Sequence, residues 1–510
     1  MASKKSKQVW EFGDFQTPDT LATAAVELIQ QLGLKPASIL EPTCGRGAFI
    51  RAASSIFSDA KSLVGVEINK SHIEHCREQL EGTSWESKIH LLHADFFTQD
   101  WPEILDDLPE PILIIGNPPW VTSSELGMLG SQNLPQKSNF QNRKGFDAIT
   151  GKANFDISEW MLLKHLDWLQ TRKGALAMLC KTSVARKVLI QAWKKDQRID
   201  SAKFFSIDAL KNFDASVDAC LFFIDCTREA KSKDCEVYDD IQSHTPSHTL
   251  GYHDNTLIAD VEAYQRWQFL RGTDKDHVWR SGLKHDCSKV MELTIGDDGL
   301  INGFGQNVSL EEEYVFPLYK SSDVGNGRVK QCRKYVIVTQ HVIGEDTAHI
   351  KDDAPKTWKY LNENKSLLDK RGSVIYKKRP PFSIFGVGDY TFAPWKVAIS
   401  GFYKNLSFQI ITPLKGRPVM LDDTVNFLPC GSKDEAELIC SLLNSEPAQE
   451  FLSSMIFWSE KRPITIEILR RLNIVALATK LGRQKELDVF KAQRNALRQK
   501  DSLQQVLFAS

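Results

Sequence analysis

The chain has 510 residues and a formal net charge of −1, with 42% hydrophobic and 25% charged residues. This composition is that of a soluble globular protein, and the length predicts two or three domains. The near-neutral balance gives no ground for inferring a nucleic-acid partner from overall charge. Apolar runs are too short to span a membrane and no secretory segment follows the basic N-terminus, so a cytoplasmic protein is expected. Ten scattered cysteines without a C-x-x-C pair indicate reduced thiols and predict no metal site.

An amphipathic helix is predicted to begin near residue 18. Thr17 is suited to its N-cap and Pro18 to its first position. The residues just before the cap either face a ligand or staple the helix, and the spacing alone favours the staple. The helix is indicated by apolar residues at helical spacing, namely Leu21, Ala24, Ala25, Leu28, Ile29 and Leu32.

The first strand, Ala37 to Glu41, leads into a loop with two glycines, Gly45 and Gly47, and then into a helix. This order predicts the first crossover of a nucleotide-binding sheet, where glycines let the backbone approach a ligand. A third glycine and a Gly-Lys-Ser/Thr sequence are both missing, which argues against a dinucleotide fingerprint and a P-loop. Glu41 suits a cationic or amino-bearing ligand better than a polyphosphate.

Two further predicted strands end in acids. Glu67 ends the second strand about twenty residues after the glycine loop, where such sheets hold a ribose diol. Asp95 ends the third strand and could accept a hydrogen bond from an adenine amino group, with Phe96 as an apolar surface. Each acid taken alone is more often a helix cap or a surface residue. Together with Glu41, they place three carboxylates on the ligand-binding edge of the sheet.

The fourth strand, Pro111 to Gly116, ends in Asn117-Pro118-Pro119-Trp120. Each proline fixes its own φ and disfavours a helical conformation for the residue before it, so the turn is stiff and extended. It holds an amide, a free carbonyl and an aromatic face in one place, which suits a flat molecule with an exocyclic amino group. An ordinary proline-rich loop is the alternative.

The rest of the first half completes the predicted sheet. Residues 122–152 are polar with little periodicity and are expected to form a flexible active-site loop. A helix is predicted over 155–169, a strand over 174–180, and two closing strands over 202–206 and 217–223. The loop between the closing strands carries Phe213 near the binding edge.

The motifs of residues 12–226 together resemble the catalytic domain of gamma-class (TaqI-like) adenine-N6 DNA methyltransferases. Their order is also that of the gamma class. The resemblance is carried by FQTP (15–18), LEPTCGRGAF (40–49), VGVEI (64–68), HADFF (93–97), GNPPW (116–120) and NFDASVDACLFF (212–223). It implies an α/β class I fold that depends on S-adenosylmethionine (SAM), with a Rossmann-like seven-stranded mixed sheet.

The resemblance also implies a role for each matched residue. Near the methionine part of SAM it places Thr17, Glu41 and the loop of Thr43, Gly45 and Gly47. Around the SAM nucleoside it places Glu67 on the ribose, Ile68 and Phe96 against the adenine ring, and Asp95 on the adenine amino group.

The target base would be held by the turn after the fourth strand. The Asn117 side-chain oxygen and the Pro118 carbonyl would accept both hydrogens of the target amino group, with Pro119 completing the stiff turn. Trp120 and Phe213 would sandwich the flipped base; Trp120 stands where the family more often has Tyr. The implied enzyme is an adenine-specific DNA methyltransferase for restriction-modification or phage defence, with double-stranded DNA as partner. A separate restriction endonuclease is left open.

The second half changes to mixed short strands with aromatic and basic residues. Residues 231–480 are predicted to form an α+β target-recognition domain after a catalytic domain at 1–230, and 481–510 a basic helix. Two regions are basic: 461–510, with eleven Lys and Arg against four Asp and Glu, and a cluster formed by 370–371 with 377–379. Either could contact DNA or be ordinary solvated surface. The helix could pack on the domain, touch DNA or mediate association.

Four alternatives to adenine-N6 methylation of DNA stay open, three catalytic and one without activity. Turns of this type also serve methyl transfer to cytosine N4, to an RNA base or to a protein glutamine. The long second half and Phe213 favour duplex DNA. An inactive DNA-binding protein on the same fold is a different class, and the full set of acids with Asn117 and Trp120 argues against it.

Overall fold

The computed structural model describes residues 16–121, 156–297 and 299–494. The chain divides into two compact units, Met1–Val261 and Glu262–Ser510. Three parts of the sequence interpretation lie outside the described residues. They are Phe15 of the first motif, the active-site loop predicted at 122–152, and residues 495–510 of the predicted C-terminal helix.

Unit 1 is built on one large sheet covered by helices. Its strands are β1 (Ser38–Glu41), β2 (Ser62–Glu67), β3 (Ile89–His93), β4 (Ile112–Gly116), β5 (Gly174–Lys181), β6 (Ser201–Ile207), β7 (Ala219–Cys226), β8 (Asp234–Tyr238), β9 (His248–His253) and β10 (Thr256–Ile258). Its helices are α1 (Asp19–Gln31), α2 (Ala48–Ile56), α3 (Lys70–Leu80), α4 (Trp101–Asp106), α5 (Ile157–Leu169), α6 (Thr182–Lys194) and α7 (Ala209–Phe213).

The sheet has the order β3-β2-β1-β4-β5-β7-β6, continued by β8, β9 and β10. Strands β1 to β5 are parallel, and β7 is antiparallel to both β5 and β6. The predicted seven-stranded mixed sheet is therefore confirmed. Strands β8 to β10 extend it, so residues 231–261, which the sequence assigned to the recognition domain, lie in unit 1.

Both faces of the sheet are covered. Along β4, Ile112 and Ile114 belong to one hydrophobic core cluster, while Leu113 and Ile115 belong to the other. Successive side chains of a strand point to opposite faces, so a central strand buried on both sides reads as a continuous apolar run. This burial leaves the carboxyl edge of the strands as the place where polar groups can gather.

Unit 2 is α+β, with two separate sheets. One has the order β11-β20-β17-β18 and the other β14-β13-β12-β16-β15-β19. The strands are β11 (Arg280–Ser281), β12 (Glu292–Gly296), β13 (Gly299–Asn302), β14 (Asn307–Val308), β15 (Val315–Tyr319), β16 (Lys334–Ile337), β17 (Trp395–Ser400), β18 (Gln409–Ile411), β19 (Met420–Leu421) and β20 (Val425–Cys430).

Short helices fill the connections of this half. They are α8 (Val261–Trp267), α9 (Ser288–Met291), α10 (Ser321–Gly325), α11 (Ile350–Asp353), α12 (Pro355–Glu363), α13 (Lys365–Asp369), α14 (Lys433–Leu443), α15 (Glu446–Ser453), α16 (Ile466–Leu469) and α17 (Ile474–Lys480). Residues 484–494 are also helical, and Leu487 is fully buried. The described part of the predicted C-terminal helix therefore packs against the rest of the chain.

Two local predictions were wrong. Helix α1 begins at Asp19 with Pro18 at the N-cap, so Thr17 does not cap it; its hydroxyl contacts Asn117 instead. Phe213 was expected on a loop but ends the short helix α7. Asp208 caps that helix by accepting a hydrogen bond from the Lys211 backbone N–H, a signal of helix start that the sequence interpretation passed over.

Candidate active site

The predicted site residues meet at the carboxyl edge of the sheet. Glu41 lies opposite Gly65 in the β1–β2 register, and Glu67 lies opposite His93 in the β2–β3 register. Parallel strands all present their carboxyl ends to one edge, so the three acid-bearing loops lie side by side. The backbone N–H of Gly45 donates to Glu67 Oε2 at 2.9 Å, which ties the glycine loop to the acid after β2.

The glycine loop is shaped by two left-handed residues. Gly45 has φ +50° and Gly47 has φ +79°. A Cβ on Gly47 would lie 2.2 Å from the Cys76 sulfur, so a side chain there would clash as well as strain the backbone. The Arg46 backbone N–H donates to Gln16 Oε1 at 3.0 Å, and Thr43 lies half-buried on the same loop. The loop is thus held from the segment before α1.

Glu67 already carries two hydrogen bonds from the backbone. Besides Gly45, the Asn69 backbone N–H donates to its other oxygen at 2.8 Å. Each carboxylate oxygen has a second lone pair, so this set of contacts fixes the orientation and leaves room for a diol. The next residue, Ile68, is 39% exposed and offers an apolar surface at the same edge.

Glu41 is the most deeply buried acid of the edge, at 3% exposure. Burial, and secondarily the Glu67 carboxylate, raises the pKa of Glu41 well above its usual value. Its Oε2 has no hydrogen-bond partner among residues 16–121, 156–297 and 299–494. A Cβ on Gly116 would lie 3.4 Å from Glu41 Cγ, so this carboxyl adjoins the end of β4. A buried carboxyl with one unpaired oxygen at a ligand edge is a site for a cation or a hydrogen-bond donor.

Asp95 follows β3 and accepts a hydrogen bond from the Phe97 backbone N–H at 2.9 Å. Phe96 is only 5% exposed; its ring lies 4.9 Å from Trp101 and 5.5 Å from His165. The ring was expected against a ligand, but most of its surface contacts this aromatic cluster. Phe96 can therefore offer only an edge to a bound molecule and mainly supports the Asp95 loop.

The turn after β4 is fixed at its first and last residues. Asn117 Nδ2 donates to Thr17 Oγ1 at 3.3 Å, joining the turn to the segment before α1. Pro118 is buried and Pro119 half-buried. The Trp120 indole N–H donates to the Leu179 carbonyl at 3.3 Å. With its amide N–H group directed at Thr17, the Asn117 side chain keeps its carbonyl oxygen as the acceptor.

Trp120 and Phe213 do not form an open sandwich. Their ring centroids lie 5.0 Å apart at an interplanar angle of 65°, an edge-to-face contact, and both residues are 5% exposed. A planar group stacked between two rings needs about 7 Å between them, two contacts of about 3.5 Å. A base therefore does not fit between the rings in this arrangement, and the predicted sandwich requires the rings to separate.

The sequence interpretation missed Lys181 and Asp156. Lys181 Nζ donates to the Trp120 carbonyl at 2.9 Å and to Asp156 Oδ2 at 2.7 Å. The signal was available: Lys181 ends the otherwise apolar strand Gly174–Lys181. A charge at the carboxyl end of a buried strand singled out Glu41 and Glu67, and the same criterion finds Lys181.

The described ranges contain neither a metal-binding cluster nor a membrane-spanning helix. Within them, three or more His, Cys, Asp or Glu side chains never gather closely enough to hold a metal ion. None of the helices found there combines the length and apolarity that crossing a membrane would require.

Known proteins similar to this chain include methyltransferases. It is 46% identical over 478 residues to the Type II methyltransferase M.NspV of Nostoc sp., across 94% of this chain and 99% of that protein. It is 20% identical over 401 residues to the Type II methyltransferase M.BstVI of Geobacillus stearothermophilus, across 67% of this chain and 68% of the relative. No family model matches.

A solved structure shares the fold. The Type IIL restriction-modification enzyme MmeI, determined in complex with DNA, superposes with a TM-score of 0.51 and 13% identity. The match covers 89% of this chain and 64% of that one, so this chain spans less than two thirds of the length of MmeI. At this identity the likeness concerns the fold, and it agrees with the class I methyltransferase sheet described above.

Proposed function

The chain belongs to the Type II DNA methyltransferases, and on this premise we propose that it transfers a methyl group from SAM to the N6 amino group of an adenine flipped out of duplex DNA. The contact between Asn117 and Thr17 carries the proposal. It joins the turn predicted to hold the target amino group to the segment predicted to border the cofactor. Gly116 beside Glu41 makes a second junction between the two half-sites.

The residues of the edge fit SAM. Glu67 offers two carboxylate oxygens to the ribose hydroxyls, and Asp95 offers its second oxygen to the adenine amino group. Ile68 provides an exposed apolar face for the ring, while the positive φ angles of Gly45 and Gly47 give the loop its tight shape. Phe96 is assigned a supporting role because it is buried.

Glu41 is the residue whose chemistry most favours this cofactor. Its carboxyl is buried, and one oxygen has no hydrogen-bond partner in the described ranges. SAM carries a sulfonium and an ammonium cation, and a cation close to Glu41 would favour the ionised carboxylate. A nucleotide fragment without a cation would leave the negative charge of the Glu41 carboxylate without an opposite charge.

Bound at this edge, SAM supplies an electrophilic methyl group. The chain then acts on the nucleophile: Asn117 Oδ1 and the Pro118 carbonyl accept the two hydrogens of the target amino group. Those contacts favour a pyramidal nitrogen whose lone pair is no longer delocalised into the ring. Because acceptors already face both hydrogens, no strong base is needed before transfer, and positioning with electrostatics accounts for the rate. The new nitrogen–carbon bond would form as the sulfur–carbon bond breaks, and the surplus proton of the methylated nitrogen would leave along its hydrogen bond to one of these acceptors and pass to water.

Base flipping is part of the same proposal. Trp120 and Phe213 are aromatic residues at the edge beside Asn117, and stacking on them would offset part of the unstacking cost of a few kcal/mol. Their closed edge-to-face contact means that one of them moves when the base arrives. Phe213 ends a five-residue helix, so a shift there disturbs little regular structure.

Unit 2 is assigned the role of target recognition. Lys377, Lys378 and Arg379 are exposed, and neither lysine has an ion pair with any residue in the described ranges. Arg379 borders the loop 341–345, since a Cβ on Gly344 would lie 3.2 Å from its Nη1. Exposed cations beside a surface loop suit contacts with DNA phosphates.

The loop 341–345 is ordered by its own acid. Glu345 Oε2 accepts hydrogen bonds from the backbone N–H groups of His341, at 2.5 Å, and Val342, at 3.2 Å. Val342 and Ile343 are nevertheless 50% and 47% exposed. A braced loop that presents apolar side chains beside cations is suited to contact base edges such as the thymine methyl group.

Other basic residues of unit 2 serve its own structure. The Arg371 guanidinium donates to the Ser383 carbonyl at 2.7 Å and to the His285 carbonyl at 3.2 Å. In the C-terminal helix, Arg494 pairs with Glu435 at 2.8 Å and Lys491 with Asp276 at 3.2 Å. We therefore assign DNA contact to 377–379 and a packing role to Arg371 and helix 484–494.

The experiment that tests this function incubates the purified full chain with SAM and DNA of mixed sequence, then maps methylated bases by sequencing. The expected result is N6-methyladenine at one short recognition sequence. Methylation at cytosine N4 would correct the base, and labelling of RNA or protein alone would overturn the DNA assignment.

A partner endonuclease and a cytoplasmic location belong to the same proposal and follow from a role in restriction-modification.

A further inference from the structure

Lys181, the last residue of β5, links the far end of the target turn to helix α5. Its Nζ lies 2.9 Å from the Trp120 carbonyl oxygen and 2.7 Å from Asp156 Oδ2. The Lys181 side chain is 21% exposed and that of Asp156 is 7% exposed. One ammonium group therefore joins the backbone of Trp120 to a buried carboxylate.

Both carboxylate oxygens of Asp156 accept hydrogen bonds. Its Oδ1 accepts hydrogen bonds from the backbone N–H of Ser158 at 3.1 Å and from the Ser158 hydroxyl at 2.5 Å, which caps α5. Its Oδ2 accepts from Lys181. The next residue, Ile157, donates its N–H to the Val121 carbonyl at 2.9 Å. The start of α5 and the end of the turn are thus held together by adjacent contacts.

Strand β5 holds Trp120 at two points. The Leu179 carbonyl accepts from the indole N–H, and Lys181 donates to the Trp120 backbone carbonyl. Leu179 and Lys181 are two residues apart on a strand paired in parallel with β4. The position of Trp120 is therefore fixed by β5 as well as by β4, the strand that leads into the turn.

We propose that Lys181, paired with Asp156, is a positioning residue for methyl transfer that fixes Trp120 and, through it, the Asn117 and Pro118 acceptors. The inference rests on the proposed function, since it concerns the geometry of the same turn. Pro118 and Pro119 have fixed φ angles, so the short segment is stiff and a displacement of Trp120 passes back to Pro118. A misplacement of about 1 Å is enough to lower a rate about 100-fold.

A purely structural role makes a different prediction. If the pair only supports the cap of α5, loss of Lys181 lowers stability and leaves the folded enzyme fully active. Asp156→Asn separates the two roles, because Asn is as good an N-cap as Asp but carries no charge to hold the ammonium group.

The test compares Lys181→Met, Lys181→Arg and Asp156→Asn in the full chain. For Lys181→Met we expect kcat to fall about 100-fold and the KM for SAM to change less than threefold. The melting temperature should also fall, because the Asp156 carboxylate loses its ammonium partner, so kcat is compared at temperatures where each protein is fully folded. Lys181→Arg should recover at least tenfold of the loss, because its guanidinium can still donate to both oxygens. Asp156→Asn should lower kcat by an intermediate amount.

Lys187→Met is the matched control. Lys187 lies on the adjacent helix α6 and pairs with the buried carboxylate of Glu159 on α5, at 3.5 Å, without contact to Trp120. Its kcat should equal that of the original chain. A Lys181→Met protein that is folded and has unchanged kcat would overturn the inference, as would a loss of activity that only follows the folded fraction. Failure of the original chain to methylate DNA would overturn the proposed function instead.

Discussion

The cofactor edge and the target turn lie on the same side of one sheet, yet they are held in different ways. At the edge, Glu67 and Asp95 accept hydrogen bonds from backbone N–H groups two residues further along the chain. At the turn, Asn117 contacts Thr17, one hundred residues away, and Trp120 contacts Leu179, fifty-nine residues away. Each edge acid is thus braced by a neighbouring residue, with one longer contact from Gly45 to Glu67, whereas the side-chain contacts of the turn reach residues 59 and 100 positions away.

This difference separates the consequences of mutation. A locally braced acid can be changed without moving its neighbours, so its loss should weaken cofactor binding and leave the chemical step intact. A turn held by distant partners transmits small displacements to the reacting groups. We therefore expect edge variants to change the KM for SAM and turn variants to change kcat.

The largest effect is expected for Asn117→Ala. It removes one of the two acceptors for the target amino group, and loss of one such preorganised group typically costs 10²- to 10³-fold in rate. Binding of DNA and SAM should stay within about threefold, because neither depends on this contact alone. Single-turnover rates with a DNA that contains the mapped recognition sequence, together with binding titrations, measure both quantities.

Thr17→Val is the control for Asn117. It removes the hydroxyl that accepts from Asn117 Nδ2 and leaves the acceptor oxygen in place, so the rate should fall less than tenfold. Equal losses in both variants would show that Asn117 acts through its contact with Thr17. Unchanged methyl transfer by Asn117→Ala would remove the catalytic role assigned to it.

The next effect is expected for Asp95→Asn at the cofactor edge. Asn can still accept from the Phe97 N–H, so the local turn survives, but an amide N–H group then faces the adenine amino group. The Kd for SAM should rise about 10- to 100-fold, while kcat at saturating SAM changes less than threefold. Isothermal titration and steady-state kinetics give the two values. A matching fall in kcat would erase the distinction between the two regions.

The same distinction explains what could be predicted from sequence. The strand ends with Glu41, Glu67 and Asp95, and the buried strand before Asn117, follow from short patterns because burial and local hydrogen bonds fix them. The mixed sheet was implied by the family resemblance that the motifs carry. Strands β8 to β10 were placed in the wrong domain because short strands of 3 to 6 residues carry weak signals.

Contacts between distant side chains could not be predicted in this way. No pattern around Thr17 distinguishes a helix cap from a hydroxyl that accepts from Asn117. The closed contact of Trp120 with Phe213 depends on where α7 packs, which spacing does not determine. Lys181 could have been found by its position at a strand end, but its partner Asp156 becomes visible only in three dimensions.

A smaller effect is expected for Glu41→Gln, with opposite signs for stability and function. The pKa of Glu41 is raised in the folded chain, so the protonated carboxyl is favoured there. The free energy of unfolding therefore falls as the pH rises above the pKa of the unfolded chain, which is near 4.5. Gln removes this loss, and the ligand-free variant should be about 1 to 2 kcal/mol more stable at pH 8. Urea unfolding at pH 5 and pH 8 measures the difference, which should shrink at the lower pH.

The affinity of Glu41→Gln for SAM completes that prediction. A neutral amide cannot compensate a sulfonium or ammonium cation, so the Kd for SAM should rise at least tenfold. An unchanged Kd, together with higher stability, would show that Glu41 is a buried structural acid with no part in cofactor binding.

The smallest effect is expected for His165→Leu, in the aromatic cluster that supports Phe96. Burial lowers the pKa of His165 to about 3, and neither ring nitrogen has a hydrogen-bond partner in the described ranges. A lowered pKa keeps the folded histidine neutral while the unfolded one protonates below about 6.5, so stability is lost as pH falls. Because of this group, the free energy of unfolding should fall by about 1.4 kcal/mol between pH 7.5 and pH 5.5. This decrease should be absent in His165→Leu. Urea unfolding measures both proteins. An equal decrease in the free energy of unfolding would mean that His165 is protonated in the folded chain, and that the cluster supporting the Asp95 loop holds a charged group.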